Sequence, residues 1–118
     1  MARFKLKLQL YCGDEIAMGP GKADLLAAIA REGSISAAGR AMGMSYRRAW
    51  LLVDTMNRCF AEPLVETHPG GGKRAGARLT AEGEAALAAY RALSAQVERG
   101  AAGADYDALV EAIRPGPL

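Results

Sequence analysis

The side chains best suited to bind another molecule lie together at the start of one helical segment. They are Ser45, Tyr46, Arg47 and Arg48, with Trp50 four positions after the tyrosine. A guanidinium can donate two hydrogen bonds to guanine or bind a phosphate, and a serine can donate to a phosphate. Two arginines in a first helical turn also oppose the helix dipole, which favours acidic residues there. The pattern therefore predicts that these side chains contact an anionic partner, DNA.

Residues 34–60 predict two helices that would present these side chains. The first is short, begins at Ser36 and ends near Gly43, and the second begins at Ser45. Such a pair is typical of a helix-turn-helix, which seats its second helix in the major groove and leaves Ser36 as a further phosphate contact. The alternative is an ordinary solvated helix face with serine N-caps. The residues expected to close the core are Ala49, Val53, Met56 and Phe60.

A glycine-rich hairpin is predicted directly after the second helix. Residues 64–68 and 77–79 are predicted to be its strands, and the loop between them carries Lys73 and Arg74. A basic hairpin in this position is typical of a wing, whose arginines lie along phosphates or enter the minor groove. We therefore predict DNA contacts from Lys73, Arg74 and Arg78, with a plain disordered hairpin loop as the alternative.

The N-terminal part of the chain is predicted to support this unit. Strict alternation of apolar and polar residues from Arg3 to Tyr11 predicts a half-buried strand, which pairs either in the domain's own small sheet or across a dimer. Residues 12–21 are predicted to be a connector. The next helix, residues 22–32, should bury one apolar stripe and end at Gly33. The stripe consists of Leu25, Leu26 and Ile29.

Two further helices are predicted after the hairpin. Thr80 caps one that runs to about Arg99, and residues 105–114 form a shorter amphipathic one. Apolar residues spaced three or four apart give the longer helix a seam that packs within one subunit or, as we favour, between two subunits. The seam consists of Leu87, Tyr90, Leu93 and Val97.

The predicted fold class is α+β and mainly helical. It is a winged helix-turn-helix with an N-terminal strand, a β-hairpin wing and a C-terminal dimerisation helix. We assign this DNA-binding domain to residues 1–99, and a short C-terminal helix and tail to residues 100–118.

Composition limits the functions that the chain can carry. Its 118 residues, 51% of them apolar, suit one domain with a substantial core. Up to residue 83 it holds twelve Lys and Arg against eight Asp and Glu, and after it three against five, so the positive excess lies with the helix-turn-helix. Cys12, Cys59 and His68 form neither a metal-binding motif nor a catalytic set, so we expect no metal, cofactor or enzymatic activity. No signal-peptide core and no apolar run near about 20 residues is present, which predicts a cytoplasmic chain without membrane contact.

Three stretches of the sequence carry a resemblance to a known family. They are GSISAAGRAMGMSYRRAWLLVDTMN (33–57), PLVETHPGGGKRAGARLT (63–80) and LTAEG (79–83). The chain, over about residues 3–97, resembles the N-terminal DNA-binding domain of the molybdate-responsive, ModE-type transcription regulators, which is related to LysR-type DNA-binding heads. The resemblance implies a winged helix and a homodimer on a partly palindromic double-stranded DNA operator. It also implies DNA contacts from Ser45, Tyr46, Arg47, Arg48, Lys73 and Arg74.

One part of that family has no counterpart here. Full-length ModE-type regulators carry C-terminal molybdate-binding modules, for which the 118 residues leave no room after the winged helix. No molybdate site is therefore identified in this chain, and any separate molybdate-sensing partner is unknown. We expect a homodimeric, sequence-specific DNA-binding transcription regulator linked to molybdenum or molybdate metabolism. The alternatives are an oxyanion or small-molecule sensor that uses its winged helix mainly to dimerise, and a protein-interaction module.

Overall fold

The structure is a computed structural model that describes residues 4–68 and 76–118. Lys73 and Arg74 of the predicted wing, and Arg3 at the N-terminus, lie outside the described residues. No helix within the described ranges is long and apolar enough to cross a membrane.

The described elements are five helices and two small antiparallel sheets. In chain order they are β1 (Leu10–Cys12), β2 (Glu15–Met18), α1 (Pro20–Glu32), α2 (Ile35–Ala41), α3 (Tyr46–Cys59), β3 (Val65–His68), β4 (Gly76–Leu79), α4 (Ala81–Gly100) and α5 (Ala104–Ala112). β1 pairs with β2, and β3 pairs with β4. The predicted class, a mainly helical α+β fold with a hairpin after the helix-turn-helix, is confirmed.

The core lies where α1, α2 and α3 meet. The apolar stripe predicted for α1 is confirmed, because its three large side chains have no exposed surface. They are Leu25, Leu26 and Ile29. Burial stabilises each such side chain by about 1.5–3 kcal/mol and fixes α1 on the core. The helix ends as predicted at Gly33, whose φ of 79° is a left-handed conformation that glycine adopts without steric cost.

α2 and α3 approach each other closely. A Cβ atom on Gly39 would lie 3.2 Å from the Cβ of Ala49, so a glycine at this position lets the two helices come this near. The N–H of Met44 donates to the carbonyl of Gly39 at 2.9 Å and closes the turn between the helices. The predicted core face of α3 is confirmed for three buried residues, while Phe60 is half-buried at the edge of the core. The three are Ala49, Val53 and Met56.

The prediction that α2 begins at Ser36 is wrong by two residues. Ser34 is the N-cap, and its Oγ accepts a hydrogen bond from the N–H of Ala37 at 3.0 Å. Either serine has the chemistry of a cap. When Ser34 is the cap, Ile35 lies in the core, where it is 5% exposed. The burial of Ile35 therefore favours Ser34 over Ser36 as the N-cap.

The strand predicted from residue 3 to residue 11 is also largely wrong. Residues 4–9 have no regular secondary structure, and β1 begins only at Leu10. The partner of β1 is β2, which lies in the stretch predicted to be a connector. Gly13, with a φ of 59°, makes the turn between them. Of the two pairings considered, the pairing within the chain is the one observed.

The alternation near the N-terminus has a different physical cause. Leu6 lines a recess together with Tyr90 of α4, and the hydroxyl of Tyr90 donates to the carbonyl of Leu8 at 2.7 Å. Lys5 and Lys7 lie on the other side, toward α1 and α3. The side chains of this segment thus alternate between the surface near α4 and the surface near α1 and α3. This alternation gives the sequence a period of two, although no neighbouring strand forms hydrogen bonds with residues 4–9.

β3 and β4 form the hairpin predicted after α3. The strands pair in continuous register, beginning with Val65 opposite Leu79. The N–H of Ala77 donates to the carbonyl of Gly33 at 2.9 Å, which ties the hairpin to the end of α1. The base of the hairpin is therefore fixed to the helical core.

α4 begins on the base of this hairpin. Thr80 is its N-cap, as predicted, and its Oγ1 accepts from the N–H of Gly83 at 3.0 Å while donating to the carbonyl of Pro63 at 2.7 Å. Gly83 is buried, and a Cβ atom there would overlap the carbonyl oxygen of Leu64. The close contact of α4 with the hairpin backbone therefore requires glycine.

The seam predicted on α4 is covered only in its first half. Leu87 and Tyr90 pack against the core, whereas Leu93 and Val97 are each 38% exposed. Leu109 on α5 is exposed as well, at 66%. The first half of α4 therefore belongs to the core of the subunit, and the second half presents apolar surface to solvent.

Replacing Gly83 with Ala should destabilise the fold, because the added methyl group meets the backbone of Leu64. We expect a net loss of about 1–3 kcal/mol, with the gain of about 1 kcal/mol in helix propensity already subtracted. Thermal unfolding followed by circular dichroism measures the loss. Gly100→Ala is the matched control, since a Cβ on Gly100 meets no atom within 4 Å. Equal melting temperatures for the two variants would contradict this packing explanation.

Candidate nucleic-acid interface

The N-terminal turns of α3 lie open to solvent. Ser45 is the N-cap, as predicted, and its Oγ accepts from the N–H of Arg48 at 3.1 Å. Because Ala49 faces the core with no exposed surface, its neighbours turn outward. The structure therefore exposes all four predicted basic and aromatic side chains around the start of α3. They are Tyr46, Arg47, Arg48 and Trp50, of which the tyrosine is 57% and the tryptophan 45% exposed.

A cleft of about 320 Å³ lies between α3 and the hairpin, and we call it the wing cleft. Tyr46 and Trp50 line it from α3, Thr67 and His68 line it from β3, and Ser36 lines it from α2. Three elements predicted to contact DNA thus border one concave surface. The sequence did not single out Thr67, which enters the cleft because its strand lies beside α3.

Ser36 has a partner within its own helix. Its Oγ accepts from the guanidinium of Arg40 at 2.8 Å, across one helical turn. Arg40 is exposed, and it adds a cation beside Ser36 that the sequence analysis missed. The signal that could have found it is the spacing of four residues, which places two side chains next to each other on a helix.

Arg78 lies on β4 in a small group of polar side chains. Its Nε donates to Nε2 of His68 at 2.9 Å and lies 3.6 Å from a carboxylate oxygen of Glu66. The side chain is 59% exposed, and ion pairs at such positions are worth about 0–1 kcal/mol. Arg78 can therefore exchange these partners for a phosphate at little cost.

Two acidic residues near α3 share one arginine. Arg58 donates to both carboxylate oxygens of Glu15 at 3.1 Å and to Asp54 at 3.0 Å. These hydrogen bonds lower the pKa of Glu15 and raise the pKa of Arg58. Arg47 and Arg48, in contrast, form no ion pair with any residue in 4–68 or 76–118. The positive charges of Arg47 and Arg48 are thus not paired with an acidic side chain among the described residues.

Cys12 and Cys59, distant in the sequence, are neighbours in the fold. Both are free thiols, and the hydrogen bond with Cys12 raises the pKa of Cys59, with burial adding to the shift. Sγ of Cys59 also lies 4.0 Å from a carboxylate oxygen of Glu15. Among the residues that the structure describes, no group of three or more His, Cys, Asp and Glu side chains is placed to hold a metal ion.

The side chain of Asn57 joins α3 to the hairpin. Its Oδ1 accepts from the N–H of Leu64 at 2.8 Å and from the N–H of Val65 at 3.2 Å, and its Nδ2 donates to the carbonyl of Val65 at 3.0 Å. One amide thus sets the position of β3 relative to α3 and, with it, the width of the wing cleft. No sequence pattern predicts this role, because a hydrogen bond between a helix side chain and a later backbone group has no periodic signature.

Asn57→Ala should loosen the hairpin, because the backbone groups of Leu64 and Val65 lose these three hydrogen bonds. We expect a loss of stability of about 1–3 kcal/mol and faster hydrogen exchange at those two amides. Asn57→Asp is the matched control, since it keeps the oxygen that accepts from both N–H groups, and it should retain slower exchange than the alanine variant. Identical exchange in the wild type and both variants would show that the amide does not hold the hairpin.

Comparison with known proteins places the chain among regulators. Residues 22–84 match the model of the bacterial regulatory helix-turn-helix proteins of the lysR family. The chain is 50% identical over 82 residues to the molybdenum-pterin-binding protein MopB of Rhodobacter capsulatus. It is 37% identical over 95 residues to the DNA-binding transcriptional dual regulator ModE of Escherichia coli K12. These matches cover 70% and 80% of this chain but only 30% and 36% of the relatives, so the chain spans about a third of their length.

The fold agrees with that of a solved DNA-binding domain. The chain in the CbnR_DBD–DNA complex has a TM-score of 0.53 and 22% sequence identity, over 68% of this chain and 86% of that one. At this level of identity the likeness concerns the fold alone. The resemblance to ModE-type and LysR-type DNA-binding regions is confirmed by the family match and the curated relatives. Because the family match runs from α1 to the start of α4, the chain belongs to the lysR family of bacterial regulatory helix-turn-helix proteins.

Proposed function

We propose that this chain binds specific DNA sequences as a homodimer and thereby regulates transcription, without enzymatic activity and in the cytoplasm. The observation that carries the proposal is the exposed start of α3. Two arginines without an acidic partner among the described residues lie there beside an exposed tyrosine and tryptophan. The arginines of such a surface can bind the phosphates of a polyanion, and its aromatic rings can pack against the bases and sugars.

α3 has the dimensions of a helix that reads the major groove. A helix with its side chains is about 10–12 Å wide, and the groove is about 12 Å wide. In this proposal Arg47, on the outward face of α3, donates to guanine O6 and N7, while Tyr46 and Trp50 contact the strand next to the wing cleft. Ser36 and Ser45 donate their hydroxyls to phosphates and fix the register of the helix.

The hairpin supplies the second DNA contact in this proposal. Asn57 holds β3 against α3, so the wing and the reading helix meet the same duplex. Arg78 lies on β4, and Lys73 and Arg74 lie between β3 and β4 in the sequence. These three cations would lie along the phosphates or enter the minor groove.

The homodimer would form through α4. An apolar recess of about 190 Å³ lies between β1 and α4, with Leu10 and Leu93 in its lining. Leu10 is 43% exposed, and Leu93 and Val97 are each 38% exposed. A second copy would cover this surface and gain about 25 cal/mol for each Å² of apolar area buried. Two copies would present two α3 helices about 34–36 Å apart, the spacing of successive major grooves.

The names of the relatives suggest what the regulated genes do. MopB is called a molybdenum-pterin-binding protein, and the Azotobacter vinelandii ModE, 38% identical over 96 residues, is called a molybdenum transport protein. We propose that this chain regulates genes of molybdenum or molybdate metabolism. No molybdate site is assigned to any of its residues, and no cofactor is needed for the DNA contacts described.

Selection of bound duplexes from a random pool tests the proposal. A homodimer that reads two half-sites should recover a partly palindromic sequence with its halves about one helical turn apart. Recovery of no common sequence by protein that circular dichroism shows to be folded would exclude sequence-specific reading.

Variants of the two arginines separate base reading from phosphate binding. Arg47→Ala should weaken binding to the selected duplex by about 1–3 kcal/mol and weaken binding to a scrambled duplex less, because a guanine contact is lost. Arg48 lines a different cleft on the far side of α3, so Arg48→Ala should weaken both duplexes alike. Fluorescence anisotropy measures both affinities, and Arg99→Ala on α4 controls for the loss of one charge. Unchanged affinity of both variants on both duplexes would remove the start of α3 from the interface.

A further inference from the structure

A second cleft, of about 390 Å³, borders α3 on the side opposite the wing cleft. Four cationic side chains line it. Lys5 and Lys7 come from the N-terminal segment, Lys22 from the first turn of α1, and Arg48 from the first turn of α3. None of the described residues in its lining is acidic. We call it the cationic cleft.

The N-terminal segment is anchored on both sides of its two lysines. Before them, the ring of Phe4 packs edge-on against Tyr106 of α5, with the ring centroids 5.6 Å apart. After them, the carbonyl of Leu8 accepts from the hydroxyl of Tyr90 at 2.7 Å. Segments without secondary structure are usually mobile, and these two contacts restrict this one. The backbone that carries the two lysines is therefore held beside the cleft.

The positive charges of the cleft are not balanced by ion pairs among the residues that the structure describes. None of the four side chains forms an ion pair with any residue in 4–68 or 76–118. Burial lowers the pKa of Lys22, and the charge of Arg48 lowers it further, while Cys59 and Glu15 oppose the shift. Glu15 attracts Lys22, but both of its carboxylate oxygens accept hydrogen bonds from Arg58. Like charges in this arrangement repel one another until an anion lies between them.

The position of the cationic cleft matches the geometry of a duplex. A helix that fills the major groove has one phosphate backbone on each side, because helix and groove have nearly the same width, about 12 Å. On α3, Tyr46 and Trp50 face the wing cleft, whereas Arg48 and Leu52 face the cationic cleft. A duplex with one backbone at the wing therefore brings its other backbone to the cationic cleft.

We propose that the cationic cleft binds phosphates of the DNA strand on the side of α3 opposite the wing, with Lys5, Lys7 and Lys22 as its main ligands. The proposal rests on the DNA-binding function proposed above and adds a third contact to the reading helix and the wing. Phosphates carry no base identity, so the cleft contributes affinity and orientation without sequence preference.

The salt dependence of binding tests the proposal on any duplex. The logarithm of the binding constant falls linearly with the logarithm of salt concentration, with a slope of about −0.9 for each phosphate neutralised. A variant with Lys5→Gln, Lys7→Gln and Lys22→Gln should have a slope flatter than that of the wild type by about two to three for each subunit on the duplex, and by about twice that for a homodimer. Fluorescence anisotropy measures this slope on a mixed-sequence duplex of about 30 base pairs. That length leaves room for both subunits, whose half-sites would lie one helical turn apart.

Two matched variants show whether position or charge alone causes the change. Arg91→Gln, Arg99→Gln and Arg114→Gln remove the same number of charges from α4 and the C-terminal end, and should leave the slope unchanged. Replacing the three cleft lysines with arginines keeps the charge and should also keep the slope. A slope in the lysine-to-glutamine variant equal to that of the α4 variant would overturn the proposal. Circular dichroism of each variant confirms that folded proteins are compared.

The failure of this proposal can be told from the failure of the proposed function. A wild-type chain that binds no duplex at low salt refutes both. Salt-dependent binding by the wild type, with an unchanged slope in the glutamine variant, refutes only the cleft. Calorimetry with inorganic phosphate tests whether the cationic cleft binds free oxyanions instead of DNA phosphates. Heat that disappears in the glutamine variant, together with an unchanged DNA slope, would make the cleft a site for free oxyanions and overturn the proposal.

Discussion

The carboxamide of Asn57 keeps the reading helix and the wing in one geometry. A hairpin of two four-residue strands has little stability of its own, so its orientation depends on contacts at its base. The side chain of Asn57 provides those contacts by accepting two hydrogen bonds and donating one, and the N–H of Ala77 adds a fourth to the carbonyl of Gly33. All four hydrogen bonds involve backbone groups of the hairpin, so they fix the direction of the strands rather than the position of single side chains. The wing cleft, and every DNA contact proposed for the hairpin, follows from that constraint.

Periodicity predicted the helices well because burial on one side imposes it directly. Leu25, Leu26 and Ile29 are fully covered, as their spacing predicts. The same rule failed near the N-terminus, where alternation reflects two different environments and no strand partner. Ser34 and Ser36 have the same capping chemistry, and only the burial of the residue between them distinguishes the two.

The geometry of the candidate site was predictable where it lies on one element and unpredictable where several elements build it. The exposed start of α3 follows from a cap and a core face within about one turn of sequence. The cationic cleft combines side chains from the N-terminal segment, α1 and α3, so no local pattern reveals it. The same holds for Asn57, whose partners lie seven and eight residues later on a different element.

The hydrogen bond from Tyr90 to Leu8 couples two surfaces that otherwise share no residue. Tyr90 lies on α4, between the part that packs on the core and the part that is exposed. Leu8 follows directly after the lysines that face the cationic cleft. Because this hydrogen bond is one of the two anchors of the N-terminal segment, a displacement of α4 at Tyr90 would shift the backbone that carries those lysines. Under the proposed role of the cationic cleft, an event on α4 would therefore change the strength of DNA binding without changing the sequence that α3 reads.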